Sequence, residues 1–285
     1  MTKIITDDIT LRKYIPNVFA TVDDEVPLLY KLYPYLDMSE SWLAENVTGK
    51  KLLDKIAVGD RDTRFVNVAM FVVSHAFATA IPSLDLVLTP NGFGVVSNNN
   101  VAPASKERVE RLIKSLYTIK SQCLTTLLPM LRADVDWHNS EQCKWLAESI
   151  IQDLNLVSKC GDKNDPYADY DTDRWGVFLA LRQKTYPIEQ EIANGWISPQ
   201  LMARLRKCEA TATYSDEIRS LISLIKSVIC ANFRTGVLNR KLLDDAVTYI
   251  RSFPDLFPEW HNSETAKLFT PPIFENEKNS GGYFF

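Results

Sequence analysis

The sequence predicts a mainly α fold: a multi-helix bundle with one inserted β-hairpin and an extended C-terminal tail. Three observations predict it. Apolar residues recur every three or four positions through most of the chain, the spacing of helices that bury one face. Strict alternation occurs in one stretch, Leu84-Asp85-Leu86-Val87-Leu88-Thr89, which meets the turn residues Pro90-Asn91-Gly92 and returns through Phe93 to Ser97. Beyond Pro254 the periodicity fades, and Pro254, Pro258, Pro271, Pro272 and Gly281-Gly282 punctuate a run that ends Tyr283-Phe284-Phe285. The expected organisation is one helical domain over 1–268 with the hairpin at 84–98, followed by an extended arm over 269–285.

Element by element, Thr6-Asp7-Asp8 caps a short helix through Ile9, Leu11 and Tyr14 that Pro16 stops. Pro27 suits a first helical turn, and Leu28, Leu29, Leu32 and Tyr33 follow until Pro34 breaks the helix. Ser39 to Leu43 opens another short helix ending near Gly49, and Leu52, Leu53 and Ile56 form a stripe on the next. Phe65 to Ala80 is apolar nearly all round, which predicts a central buried helix terminated before Pro82.

After the hairpin, Ser105 caps a long amphipathic helix through Val109, Leu112, Leu116, Leu124, Leu127 and Leu131, with a kink or an end at Pro129. Arg174 to Ala193 reads as helix interrupted at Pro187, and Ser198-Pro199 starts the next. Helices opened by Ser215 and Asn239 pair across the Thr235-Gly236 turn. The pentapeptide Trp-His-Asn-Ser-Glu occurs at 137–141 and again at 260–264, and both copies read as helix starts of independent origin, since such caps are common. No solenoid period is visible.

With 285 residues, 46% hydrophobic and 24% charged, the chain has the composition of a soluble globular protein that buries a sizeable core. A net charge of -4 argues against attraction of the whole protein to nucleic acid. Cys123, Cys143, Cys160, Cys208 and Cys230 are widely spaced and odd in number, which predicts neither a disulfide framework nor a zinc ribbon and fits reducing cytosol. The N-terminus lacks the apolar core of a signal peptide. Asn67, Ser74, His75 and Thr79 interrupt the longest apolar segment, so no membrane span is expected.

The hairpin is the chain's most distinctive stretch, because a lone two-stranded ribbon offers unpaired N–H and C=O groups along its outer edge to another chain. Leu86-Val87-Leu88-Thr89-Pro90-Asn91-Gly92-Phe93-Gly94-Val95-Val96-Ser97-Asn98, followed by Ala102-Pro103-Ala104-Ser105-Lys106-Glu107-Arg108-Val109, resembles the signature of a family of helical proteins from phages and prophages of Bacteroidetes bacteria, including crAss-like phages. The Arg174…Phe178-Leu179-Ala180-Leu181-Arg182 run is similar as well. Members of that family look like head-to-tail connector (adaptor) proteins, which form a ring beneath the portal of tailed-phage virions.

The resemblance implies a structural role in the virion neck, with synthesis in the host bacterial cytoplasm. The implied partners are copies of the chain in a ring, the portal protein and other neck or tail proteins, with DNA passing the lumen without specific binding and no membrane. It brings no catalytic residues and no cofactor. The residues expected at interfaces are Leu88, Pro90, Asn91, Gly92 and Phe93 on the hairpin, with Tyr283, Phe284 and Phe285 on the tail.

Sites of other chemistry are weakly signalled. His75, His138 and His261 have no partners at metal-ligand spacing, and His75 reads as a hydrogen-bonded core residue. Asp169-Tyr170-Asp171-Thr172-Asp173 begins like a calcium loop but continues with Arg174 in place of glycine and Ala180 in place of the bidentate glutamate, so a solvated capping loop is expected. Asn91-Gly92-Phe93-Gly94 matches no phosphate-binding pattern, and no nucleophile elbow is present. Lys106, Arg108, Arg111 and Lys114 alternate with Glu107 and Glu110, a solvated mixed face. The alternatives to a connector are a non-virion cytosolic interaction protein and a phage-encoded hydrolase, which would need a deep pocket with converging titratable groups.

Overall fold

Asp7 starts the first helix: its carboxylate accepts from the backbone N–H of Thr10 at 2.7 Å, and α1 (Asp8–Tyr14) buries Leu11 and Tyr14. The computed structural model describes residues 4–15, 26–84, 87–89, 92–94, 105–156 and 171–270. Within them the protein is mainly helical, as the periodicity requires.

α2 (Leu28–Leu43) runs through Pro34, where the sequence predicts a break, and it absorbs the separate helix expected from Ser39. An interior proline costs a helix about 3 kcal/mol. Burial of Leu29, Leu32, Leu36 and Leu43 along one face offsets that. The same competition carries α4 (Thr63–Leu84) past Pro82 and α7 (Arg174–Ile192) past Pro187, whereas α5 (Lys106–Arg132) ends within a turn of Pro129.

α2 widens into a π-helical turn, Ala44–Thr48, which Gly49 ends at φ 75° and ψ 146°, and α3 (Lys50–Val58) follows. α4 is long and apolar enough to cross a membrane by length and composition, but most of that stretch is buried inside the fold, chiefly against α5 and α2. Ser105 precedes α5 with an extended backbone but makes no side-chain cap bond, contrary to expectation. Ser140 caps the short α6 (Glu141–Leu146).

Between α4 and α5, β1 (Val87–Thr89) and β2 (Gly92–Gly94) pair antiparallel, with Val87 opposite Gly94, Leu88 opposite Phe93 and Thr89 opposite Gly92. This ladder does not establish the hairpin expected over 84–98. Leu84 is helical, and residues 85–86, 90–91 and 95–104 lie outside the described residues.

The second half continues with a second π-helical turn (Ala193–Ile197), α8 (Pro199–Ala210), α9 (Asp216–Thr235), α10 (Arg240–Arg251), α11 (Pro258–His261) and α12 (Glu264–Lys267). Gly236, left-handed at φ 71°, ends α9 and lets α10 fold back against it, as predicted.

The two halves repeat one unit, although no solenoid period is visible in the sequence. In each, a long helix ends in a five-residue π-turn and a residue of positive φ, Gly49 in one and Ser198 (φ 73°, ψ 142°) in the other, before a shorter helix begins. The register that places Ala44 on Ala193 also places Leu32 on Leu181, Leu43 on Ile192, Leu52 on Leu201 and Ile56 on Leu205, all buried. It places Glu40 on Glu189, and these two buried carboxylates do the same work. Glu40 accepts the N–H of Ile4 at 2.9 Å, and Glu189 accepts that of Ile150 at 3.0 Å, so each holds the segment that enters its unit.

The twin pentapeptides close the units. Trp137 donates its indole N–H to the carbonyl of Val47 (3.0 Å) and Trp260 donates to Trp196 (2.6 Å), equivalent positions in the two π-turns. Five residues on from each tryptophan, Gln142 donates to Glu45 (2.9 Å) and Thr265 to Asn194 (3.2 Å), again equivalent. Both serines cap the next helix, as expected, but the motifs are two copies of one long-range closure and not unrelated caps.

Candidate functional site

The chemistry-bearing side chains gather at the seam where the end of the first unit meets the start of the second. α5 ends there at Arg132, whose Nη2 lies 2.7 Å from the Glu209 carboxylate and whose Nε donates to the Glu209 carbonyl at 2.8 Å. Lys226 from α9 completes the group at 2.7 Å. Burial pushes the Glu209 carboxyl up, but Lys226 and Arg132 more than offset it and hold the group below the usual range.

A second group surrounds Glu189, fully buried, which pairs with Arg206 at 2.9 Å and accepts from Ser149 and from Ile150. Arg182 donates to the carbonyls of Trp145 (2.8 Å) and Leu146 (3.3 Å), and its guanidinium lies 4.1 Å from the Trp145 ring centroid. Burial lowers its pKa to about 10. Around it, Trp175 meets Trp42 and Trp145, each at 5.8 Å between ring centroids, and Trp145 meets Phe178 edge-on. Glu209 and Glu189 are paired with cations, and Arg182 is held by backbone carbonyls.

Open grooves flank the seam. One of about 610 Å³ is bordered by Asp37, Glu45, Asp54 and Lys50, and a neighbour of about 380 Å³ exposes Trp145, Trp175 and Leu179. A third, about 410 Å³, is lined by Tyr214, Arg219, Lys226 and Arg234. They are open to solvent and mixed in character.

Of the expected interface residues, Leu88 lies in β1 and Gly92 and Phe93 in β2, with Leu88 and Phe93 directly opposed. Pro90, Asn91, Tyr283, Phe284 and Phe285 lie outside the described residues. The histidines serve separately. The His138 ring bonds the carbonyl of Arg132 at 2.8 Å, and His261 packs edge-on against Trp260. His75 differs from expectation: its buried Nδ1 has no hydrogen-bond partner, and burial, helped by Lys120, lowers its pKa to about 4. Tertiary packing against Trp42 and Phe71 isolates it.

In the acidic loop, Asp171 pairs with Arg174 and Asp173 caps α7 through the N–H of Gly176, the capping role expected. No group of three metal-ligating side chains occurs among the described residues. Cys123, Cys143 and Cys208 are free, whereas Cys230 is disulfide-bonded, which departs from the expectation of thiols in a reducing compartment.

Little in the sequence announces the seam. The repeated pentapeptide and, more faintly, Ile-Ile-x-Asp at 4–7 and 150–153 signal the repeat, but neither marks Arg132, Glu209 or Arg182.

Fold and seam together define a mainly α protein made of two copies of a helical unit joined end to end. A family model described as a family of unknown function (DUF6712) matches residues 25–146, a span that runs from just before α2 to the end of α6 and so covers most of the first unit. No curated protein and no solved structure matches the chain.

Proposed function

We propose that this chain is a structural subunit of a tailed-phage neck, a head-to-tail connector present in several copies that bridge the portal and the tail components. β1 and β2, on this reading, are the paired part of a hairpin over 84–98 inserted in the helical body, and the C-terminal arm supplies a second contact. The observation that carries the proposal is the stretch 86–98 with 102–109, where the resemblance to connector-like phage proteins coincides with a ladder of three residue pairs. Among the described residues no third strand joins this ladder, and strand addition to an edge would give a neighbour main-chain hydrogen bonds.

A ring also needs two different patches on each subunit, which the hairpin and the aromatic end provide. Net negative charge suits a wall that DNA slides past. The work is then done by fitted surfaces, without a cofactor, a reaction or a membrane.

The test is incorporation into particles. Phe93→Asp, and separately deletion of Tyr283 to Phe285, should leave a folded chain that is missing from purified virions by mass spectrometry. Wild-type levels of both variants in virions would defeat the proposal.

A further inference from the structure

Two core positions of the first unit hold titratable groups where the second unit holds aliphatic ones. The helix pairs superpose by their buried residues: Phe65, Val68, Ala69 and Val72 of α4 fall on Ile218, Leu221, Ile222 and Ile225 of α9, while Cys123, Leu124 and Leu127 of α5 fall on Ala246, Val247 and Ile250 of α10. The α5 register is the one that sets Trp137 on Trp260. In it Lys120 falls on Leu243, and in the α4 register His75 falls on Val228, two aliphatic residues that are fully buried. The repeated scaffold asks for hydrocarbon at both places. The first unit departs from it twice, and both departures lie beside Trp42.

Lys120 is only 8% exposed. Its ammonium lies 5.0 Å from the Tyr117 ring centroid and 5.9 Å from that of Trp42, and the His75 ring also stands 5.9 Å from Trp42. Among the described residues no carboxylate, carbonyl or hydroxyl accepts a hydrogen bond from this ammonium. A lysine so deeply buried is almost never left without a partner. Burial holds its pKa below that of a free lysine, with Asp173 drawing it back by less, and its charge in turn disfavours a proton on His75. An apolar aromatic wall and a neighbour that can also carry positive charge are the conditions that leave a lysine amine unprotonated and nucleophilic. Tyr117 and His75 are half-buried, so the amine lies close beneath the surface, within reach of a small molecule.

We propose that Lys120 is a site of covalent modification whose amine adds to a small aromatic aldehyde. The nitrogen lone pair attacks the carbonyl carbon and a C–N bond forms. The two amine protons then leave with the carbonyl oxygen as water, and a C=N bond remains, so the step balances without oxidant or reductant. The imine holds a proton less readily than the amine, which suits a position that Leu243 fills in the other unit. Trp42 and Tyr117 offer flat apolar faces, and these favour an aromatic aldehyde over a sugar. Modification here involves no turnover and is independent of the connector reading.

The experiment treats the full-length chain with pyridoxal at neutral pH, reduces the imine with borohydride and locates the label by peptide mass mapping. Lys120 should be labelled several-fold faster than Lys106, Lys144 and Lys267, whose side chains are mostly exposed. That preference should vanish in urea, because the fold creates it. Lys120→Leu, the residue of the second unit, should leave the melting temperature unchanged or raise it, since no hydrogen bond or ion pair is lost.

Labelling of Lys120 no faster than that of the exposed lysines overturns the proposal, and so does a preference that persists in urea. A large fall in melting temperature for Lys120→Leu would show instead that Trp42 and Tyr117 hold a structural cation, and would overturn it as well.

Discussion

Arg132 at the end of α5 and Glu209 near the end of α8 are joined twice, through carboxylate and backbone carbonyl, across the boundary between two repeats of one helical unit. Both side chains are almost wholly buried. Removing one member of such a pair leaves a charge without its partner, so Arg132→Met should destabilise the protein by about 3 kcal/mol. Lys226 keeps Glu209 partly neutralised, so the double variant Arg132→Met with Glu209→Gln should be less damaged than the sum of the singles. Urea denaturation of the four chains measures this, and strict additivity would count against the coupling.

The twin closures predict matched costs. Trp137→Phe and Trp260→Phe keep most of each ring but lose the indole N–H bond to Val47 or Trp196, which orphans a carbonyl at the π-turn. Each should cost about 1–3 kcal/mol. A large loss for one and none for the other, by chemical denaturation, would contradict the equivalence of the units.

Gly49 lies at φ 75° and ψ 146°, a conformation that residues with a Cβ rarely adopt, and an added Cβ would lie 2.9 Å from Gln142 Oε1. Gly49→Ala should therefore cost about 1–3 kcal/mol. Ser198 already bears that conformation in the second unit, where its hydroxyl caps α8 by accepting from Leu201 N–H. Ser198→Gly relieves the backbone and forfeits the cap, so its net effect on the melting temperature should be much smaller than that of Gly49→Ala.

His75 sets an acid dependence. Its pKa falls from 6.5 to about 4 on folding, because burial disfavours the imidazolium. Between those values the unfolded chain binds a proton that the folded chain refuses, so stability is complete above pH 6.5 and declines as the pH drops toward 4. His75→Gln should flatten that part of the stability profile measured by thermal melts from pH 7 to 4. An unchanged slope would show that other groups carry it.

Much of the helical fold was legible because its signals are local. Asp7, Ser198, Ser215 and Asn239 begin helices since a side-chain oxygen beside its own N–H groups acts within three residues, and Gly49 and Gly236 end them for equally local reasons. The prolines misled, because whether Pro34 or Pro187 breaks a helix depends on how much apolar surface distant elements cover on either side of it. The interface residues on the hairpin came from a resemblance, and the seam came from neither pattern nor resemblance.

By itself, then, the sequence determined a mainly α chain, the starts of most helices, the pairing of α9 with α10 and the capping role of Asp173. Only the tertiary structure decided that Trp137 and Trp260 are one device used twice, that Glu40 and Glu189 hold entering strands of chain, and that Arg132 meets Glu209. The physical reason is range. Periodicity and caps act within a turn or two of helix, whereas each of these bonds joins positions far apart in the chain, and only the packed core brings their partners within hydrogen-bond distance.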